Sequence, residues 1–279
     1  MKKLLNRFIP LAYGQYYNAY SLIAPKKAAD SAFHLFCTVR KGRVLPQQAD
    51  YLETAKHHVE EVAGHRVQSY HWPGKKETVL LVHGWESNTF RWRNLIKKLR
   101  EADFNIFAFD APAHGHSSGK HLYVPLYEEV VDHMVKKYRP EHLIGHSVGG
   151  MTILYNQYKN PCPKVQKMVT IGSPSEFHEI MAHFQDILKF NDRFMQLLDD
   201  YVMDRFGFRI HEFSTSRFAK SINKKGLLFH DRLDAITPYH ASVQVNASWQ
   251  GSQLVSTEGL GHSMHQDDVN DQIITFLEA

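Results

Sequence analysis

A serine flanked by glycines, at the point where an apolar run gives way to a helical pattern, limits what this chain can fold into. The stretch is Leu143-Ile144-Gly145-His146-Ser147-Val148-Gly149-Gly150, with helical spacing of apolar residues from Met151 onward. At a strand-to-helix junction a serine so placed takes a strained turn that pushes its hydroxyl clear of the backbone. The glycines are needed because Cβ atoms there would collide with the adjoining strand and helix. Val148 opens the helix, so its N–H lacks an intrahelical partner and can serve a developing oxyanion. The turn is thus a candidate nucleophile elbow, and it presupposes a strand feeding a helix.

With 16 glycines in 279 residues, such a motif arises by chance in on the order of a few per cent of chains. Its context decides, and three further features follow. Thr78-Val79-Leu80-Leu81-Val82 reads as a buried strand ending in His83-Gly84-Trp85, and a turn at the glycine leaves the Trp85 N–H as a second oxyanion donor. Gly226-Leu227-Leu228-Phe229-His230 reads as another buried strand, with Asp234 just beyond it, ahead of Ile236-Thr237-Pro238. Asp231 competes as the acid, its ordinary role being capping or pairing with Arg232, and Glu176 is a weaker third candidate. Gln253–Thr257 reads as the last strand, and the loop Glu258-Gly259-Leu260-Gly261-His262-Ser263 precedes a closing helix from Val269 to Leu277. Among 19 histidines, His262 is singled out by this place after the final strand. The chain order is serine, acid, histidine.

In these residues the chain resembles the α/β-hydrolases of the serine esterase and lipase-like kind, from about Thr78 to the C-terminus apart from an insertion. Asp110-Ala111-Pro112-Ala113-His114-Gly115-His116-Ser117 also resembles the loop after that family's fourth strand. The resemblance implies a mostly parallel central sheet flanked by helices and covered by a helical lid. It implies Ser147 as nucleophile, Asp234 as acid, His262 as base, and oxyanion donors on Trp85 and Val148. No metal or organic cofactor is implied. Haloalkane dehalogenases and epoxide hydrolases of the same fold use an aspartate nucleophile, so Ser147 disfavours both. His262-x-x-His265-x-Asp267 and His114-x-His116 have ligand-like spacing, but the first is claimed by the base and the second by the family loop.

A length of 279 residues and a 43% hydrophobic content suffice for a substantial core. Thirty-three Lys and Arg against 29 Asp and Glu leave a net charge of +4, without the clustered runs that mark nucleic-acid binding. Cys37 and Cys162 alone make no disulfide scaffold, which fits a reducing cytoplasmic setting. Met1-Lys2-Lys3-Leu4-Leu5 invites a signal-peptide reading, but Asn6, Arg7 and Pro10 break the apolar run and no small-residue cleavage site follows. No segment has the apolar length to span a bilayer. A soluble protein is expected, with weak surface attachment through the first two turns as the minor reading.

Residues 1–57 read as an N-terminal helical extension packed on the core, with helical spacing over Ala28–Phe36 and Pro46–His57 around a solvated Arg40–Arg43 turn. Residues 58–174 and 224–279 read as the α/β-hydrolase core. Val59–Val62 and Arg66–Trp72 make a hairpin, and strands and helices then alternate, which means parallel strands joined by right-handed crossovers. Residues 175–223 read as a helical cap. Phe177, Ile180, Met181, Phe184, Ile187 and Leu188 form one amphipathic stripe, and Phe194, Leu197, Leu198, Tyr201, Val202 and Phe206 a second. Most of these are core residues, and a subset is expected to face Ser147 and favour an acyl or aromatic group. The leading expectation is a carboxylic-ester hydrolase working through an acyl-enzyme on a small-molecule ester. A thioesterase, C–C bond hydrolase or acyltransferase with the same triad, or a non-catalytic ligand-binding homologue, are the alternatives.

Overall fold

Short branched apolar runs that alternate with helical spacing assemble into one eight-stranded sheet in the computed structural model. The structure describes residues 2–279. The side chains of residues 1–7, on which the signal-peptide and surface-attachment readings draw, lie outside what is described. The strands are β1 (Lys56–Val62), β2 (His65–Trp72), β3 (Thr78–Val82), β4 (Asn105–Phe109), β5 (His142–His146), β6 (Lys167–Ile171), β7 (Lys225–Asp231) and β8 (Ser252–Thr257). In space they run β1-β2-β4-β3-β5-β6-β7-β8. The first three pair antiparallel and the rest parallel.

The expected hairpin forms with Val62 opposite His65. Its two-residue turn places Ala63 at φ 49° and Gly64 at φ 75°, the doubly left-handed backbone that matches strand twist.

The helices are α1 (Lys2–Ile23), α2 (Pro25–Cys37), α3 (Pro46–Leu52), α4 (Arg93–Glu101), α5 (Val124–Tyr138) and α6 (Val148–Lys159). They continue as α7 (Phe177–Leu188), α8 (Asp192–Phe206), α9 (Thr215–Ala219), α10 (His240–Ser248) and α11 (Asp267–Glu278). Two compact units result. The chain up to Thr38 joins Glu176–Ser214 in one, and Val39–Ser175 joins Thr215–Ala279 in the other.

In the sheet unit, side-chain alternation sorts each strand between two apolar layers. Leu80 and Val82 of β3 pack with Val130, Val131 and Met134 of α5 and with Ile153 and Leu154 of α6. Val79 and Leu81 turn the other way, toward Leu95, Ile96 and Leu99 of α4 and Ile273 and Leu277 of α11. With both faces covered, Val79–Val82 of β3 and Ile106–Phe109 of β4 form unbroken apolar runs rather than alternating with polar residues.

In the helical unit α1 packs on α2, α7 and α8. Phe194 is fully buried and its ring lies 4.5 Å from Phe190 and 5.9 Å from Tyr17. Phe184 lies 5.0 Å from Phe36 and 5.3 Å from Phe190. Sequence spacing does not predict α1 as a long helix, because Pro10 and Gly14 both argue against one. Packing overrides propensity there, with Gly14, Tyr17 and Ser21 buried along one face. The helix expected over Pro46–His57 stops at Leu52, and His57 instead pairs with Tyr70 in the hairpin.

Candidate active site

Ser147 joins β5 to α6 with φ 53° and ψ −124°. Few non-glycine residues adopt such a backbone, and it stores about 1–3 kcal/mol of strain that the surroundings must hold. They hold it with hydrogen bonds and close backbone contact. The Ser147 N–H donates to Ile171 O on β6 at 2.8 Å, and Met151 N–H donates to Ser147 O at 3.2 Å. A Cβ on Gly145 would lie 2.6 Å from Gly149 O, and one on Gly149 2.3 Å from Val82 O on β3. Neither position can carry a side chain while the turn keeps this shape. Val148 is the first residue of α6, so no carbonyl lies four residues back within the helix for its N–H.

Asp234 and His262 meet across 28 residues of chain, with Nδ1 of His262 2.7 Å from Oδ2 of Asp234. The other Asp234 oxygen accepts the N–H groups of Ile236 at 2.8 Å and Thr237 at 3.0 Å. Burial alone would raise the pKa of this carboxyl, but His262 and the two backbone donors outweigh it and hold the group below its ordinary value. Asp234 is therefore an anion that fixes the proton of His262 on Nδ1, leaving Nε2 as an acceptor.

Asp231 has a different task. Its carboxylate accepts Leu233 N–H at 3.0 Å, Gly259 N–H at 3.2 Å, Leu260 N–H at 2.8 Å and Thr257 Oγ1–H at 2.8 Å. Four donors saturate it, and they tie the end of β7 to the loop that carries His262. Glu176 accepts from Ser214 Oγ at 2.8 Å.

The loop bearing Trp85 is set by two buried histidines. Ala111 N–H donates to Nε2 of His83 at 2.9 Å, so Nδ1 carries the proton and donates to Gly84 O at 2.7 Å. Glu86 N–H donates to Nε2 of His114 at 3.0 Å, and Nδ1 of His114 donates to Pro112 O at 2.9 Å. The peptide planes on both sides of Trp85 are therefore anchored. In the trans Gly84–Trp85 peptide the carbonyl faces the His83 ring, so the Trp85 N–H points the opposite way. Burial pushes the pKa of His83 down to about 4 and that of His114 to about 3, which keeps both rings neutral and able to accept. Gly84 itself lies against Ser147, where an added Cβ would be 3.0 Å from the serine Cβ.

His146 links the elbow to the histidine loop. Its Nε2–H donates to His262 O at 3.0 Å, and the two rings lie 4.8 Å apart. Burial holds its pKa well below the ordinary histidine value, so the ring is neutral, and its Nδ1 has no hydrogen-bond partner among the described residues. From another side Arg91 donates to Ser263 O at 3.0 Å and stacks on Trp92. Sequence reasoning names Ser147, Asp234, His262, Trp85 and Val148 and gives Asp231 a capping role, but misses the supporting set of His83, His114, His146 and Arg91. The His-Gly dipeptide and the Asp110–Ser117 loop were the available signals.

Residues 77–203 match the protein family described as the alpha/beta hydrolase fold. The pimeloyl-acyl-carrier-protein methyl ester esterase of Vibrio atlanticus is 31% identical over 110 residues, 39% of this chain and 41% of that one, so the chain spans about two fifths of that relative's length. The uncharacterized hydrolase YugF of Bacillus subtilis is 23% identical over 258 residues, covering 76% of this chain and 93% of that one. Among solved structures, Est1E from Butyrivibrio proteoclasticus with ferulic acid bound superposes with a TM-score of 0.67 at 18% identity, over 79% of this chain and 98% of that one.

Proposed function

We propose that this chain, an esterase-like protein with the alpha/beta hydrolase fold, is a serine hydrolase that cleaves carboxylic esters through Ser147, His262 and Asp234. The observation that carries the reading is the hydrogen bond of His262 to the buried Asp234 carboxylate, in a loop tethered to the residue before a strained Ser147. Nε2 of His262 takes the Ser147 proton as Oγ attacks the ester carbonyl, while Asp234 stabilises the imidazolium. The N–H groups of Trp85 and Val148 bind the tetrahedral oxyanion, each worth about 3 kcal/mol. Collapse expels the alcohol, which takes the proton back from His262 and leaves an acyl-enzyme on Ser147. Water, deprotonated by His262, then attacks the acyl carbon, releases the acid and restores the serine.

A carboxylic ester is favoured over a thioester or a C–C bond because the Vibrio relative is named a methyl ester esterase. The same name points to a small alcohol as leaving group. Residues 175–223 are read as a cap on the grounds of connectivity. The insertion departs after β6 and returns where Thr215 N–H donates to Ser175 O at 2.9 Å. That is the carboxyl end of the parallel strands, the end that also bears Ser147. Free Cys37 and Cys162 agree with a reducing cytoplasmic setting.

Labelling with a fluorophosphonate and turnover of p-nitrophenyl esters of graded acyl length test the proposal together. The wild type is expected to label and to hydrolyse short esters, and Ser147→Ala to lose both with its melting temperature little changed. Labelling that survives Ser147→Ala would move the nucleophile elsewhere. A wild type that neither labels nor hydrolyses any ester, yet binds acyl ligands, would return the chain to the non-catalytic reading.

A further inference from the structure

Among the residues whose side chains are described, the outward face of α1 is apolar and aromatic. Ile9, Tyr13, Tyr16 and Ile23 share one side of the helix and are exposed by 47%, 47%, 56% and 86%. Phe8 and Leu22 border them and are also exposed, and the Tyr16 ring stacks on Tyr20. The face that holds Gly14, Tyr17 and Ser21 is the one spent on packing within the helical unit. The outward stripe thus contributes nothing to that unit's core. Large apolar side chains are exposed elsewhere too, such as Leu233 and Ile236, but six within one helix make a contiguous patch, and such a patch marks a surface that something covers.

Charge says what covers it. Lys2, Lys3, Arg7, Lys26 and Lys27 are the charged residues before Asp30, and all of them are basic. Lys26 and Lys27 are exposed at the far end of the stripe. A second copy laid antiparallel on this face would set basic ends against each other. An anionic bilayer surface instead supplies acyl chains for Phe8, Ile9 and Ile23, a wet boundary for the tyrosine hydroxyls, and phosphates for the lysines. No helix among the described residues is long and apolar enough to cross a membrane.

We propose that α1 is a peripheral docking helix that lies in the headgroup layer of an anionic membrane. Attachment is reversible, because one amphipathic helix with a modest basic complement is a weak anchor. The catalytic reading is not needed for this, and the test does not use turnover.

The experiment is co-sedimentation of the full chain with vesicles of phosphatidylcholine alone and of phosphatidylcholine with phosphatidylglycerol. Binding is expected to rise with the anionic fraction and fall with salt. Tyr13→Ser with Tyr16→Ser should weaken it by about tenfold or more, and Lys26→Glu with Lys27→Glu should weaken binding to the anionic vesicles alone. Both pairs are exposed, so unchanged melting temperatures are expected and show that the fold is intact. Absence of binding by the wild type, or equal binding to both vesicle types, overturns the proposal. So does a concentration-dependent dimer that Tyr16→Ser disperses, which would make the stripe a contact between copies.

Discussion

Two aspartates three residues apart divide the work at the end of β7, and their variants should separate. Asp234→Asn removes the anion that holds His262 in one tautomer, so kcat should fall by about 10⁴-fold with the fold intact. Asp231→Asn loosens the loop through Gly259 and Leu260 instead. It should cost about 1–3 kcal/mol of stability and lower kcat far less. Thermal melts and steady-state rates on one short ester decide the matter, and reversed effects would make Asp231 the acid. His83→Phe tests the loop before α4 in the same way. It leaves the Gly84 carbonyl free to rotate, and the Trp85 N–H with it. If that N–H serves the transition state, kcat should drop by about 10²-fold while KM barely moves. A change confined to KM would mean that Trp85 only contacts substrate.

At the scale of elements, the aromatic stripes of α7 and α8 are spent mainly on their own unit. Phe194 touches Phe190 and Tyr17, and Phe184 touches Phe36 and Phe190. The helical spacing predicts these stripes correctly, but spacing alone does not say which partner receives them. Phe194→Ala should therefore open a cavity and cost about 3–5 kcal/mol. Calorimetry should show the loss, and rates on short and long esters should fall alike. A selective loss on long esters with full stability would place Phe194 in the acyl site instead.

For the molecule as a whole, buried neutral histidines set the response to acid. Burial lowers His83 and His142 to about 4 and His114 to about 3 from an unfolded value of 6.5, and it holds His146 well below that value too. The unfolded chain therefore binds protons that the folded one refuses. Stability is whole above about pH 6.5 and declines as the pH falls from there toward the folded values. His83 alone contributes roughly 3 kcal/mol to that decline once both values are passed. Asp231 and Asp234, whose folded values are depressed, withdraw their contribution only below the ordinary carboxylate range. Melting temperature should thus start to fall between neutral pH and about pH 5, before any carboxylate titrates. A flat profile over that range would mean that the rings take up protons without leaving their bonds.

What could be read from the sequence is what local pattern and chain order carry. The strands Thr78–Val82, Asn105–Phe109 and His142–His146 were legible to the residue because both of their faces are buried and their apolar runs are unbroken. The places of Ser147, Asp234 and His262 followed from where those runs end. Position ahead of Ile236-Thr237-Pro238 favours Asp234 over Asp231 in the sequence, and the contact itself, Asp234 Oδ2 2.7 Å from His262 Nδ1, belongs to the tertiary structure. Tertiary structure alone decided the bonds from His83 to Ala111, His114 to Glu86 and His146 to His262. Each joins a ring to a backbone group far away in the chain, and a buried histidine carries no periodic signal of its partner. The full length of α1 belongs to the same class. Its residues argue against a long helix until α7 and α8, more than 150 residues later in the chain, bury one of its faces.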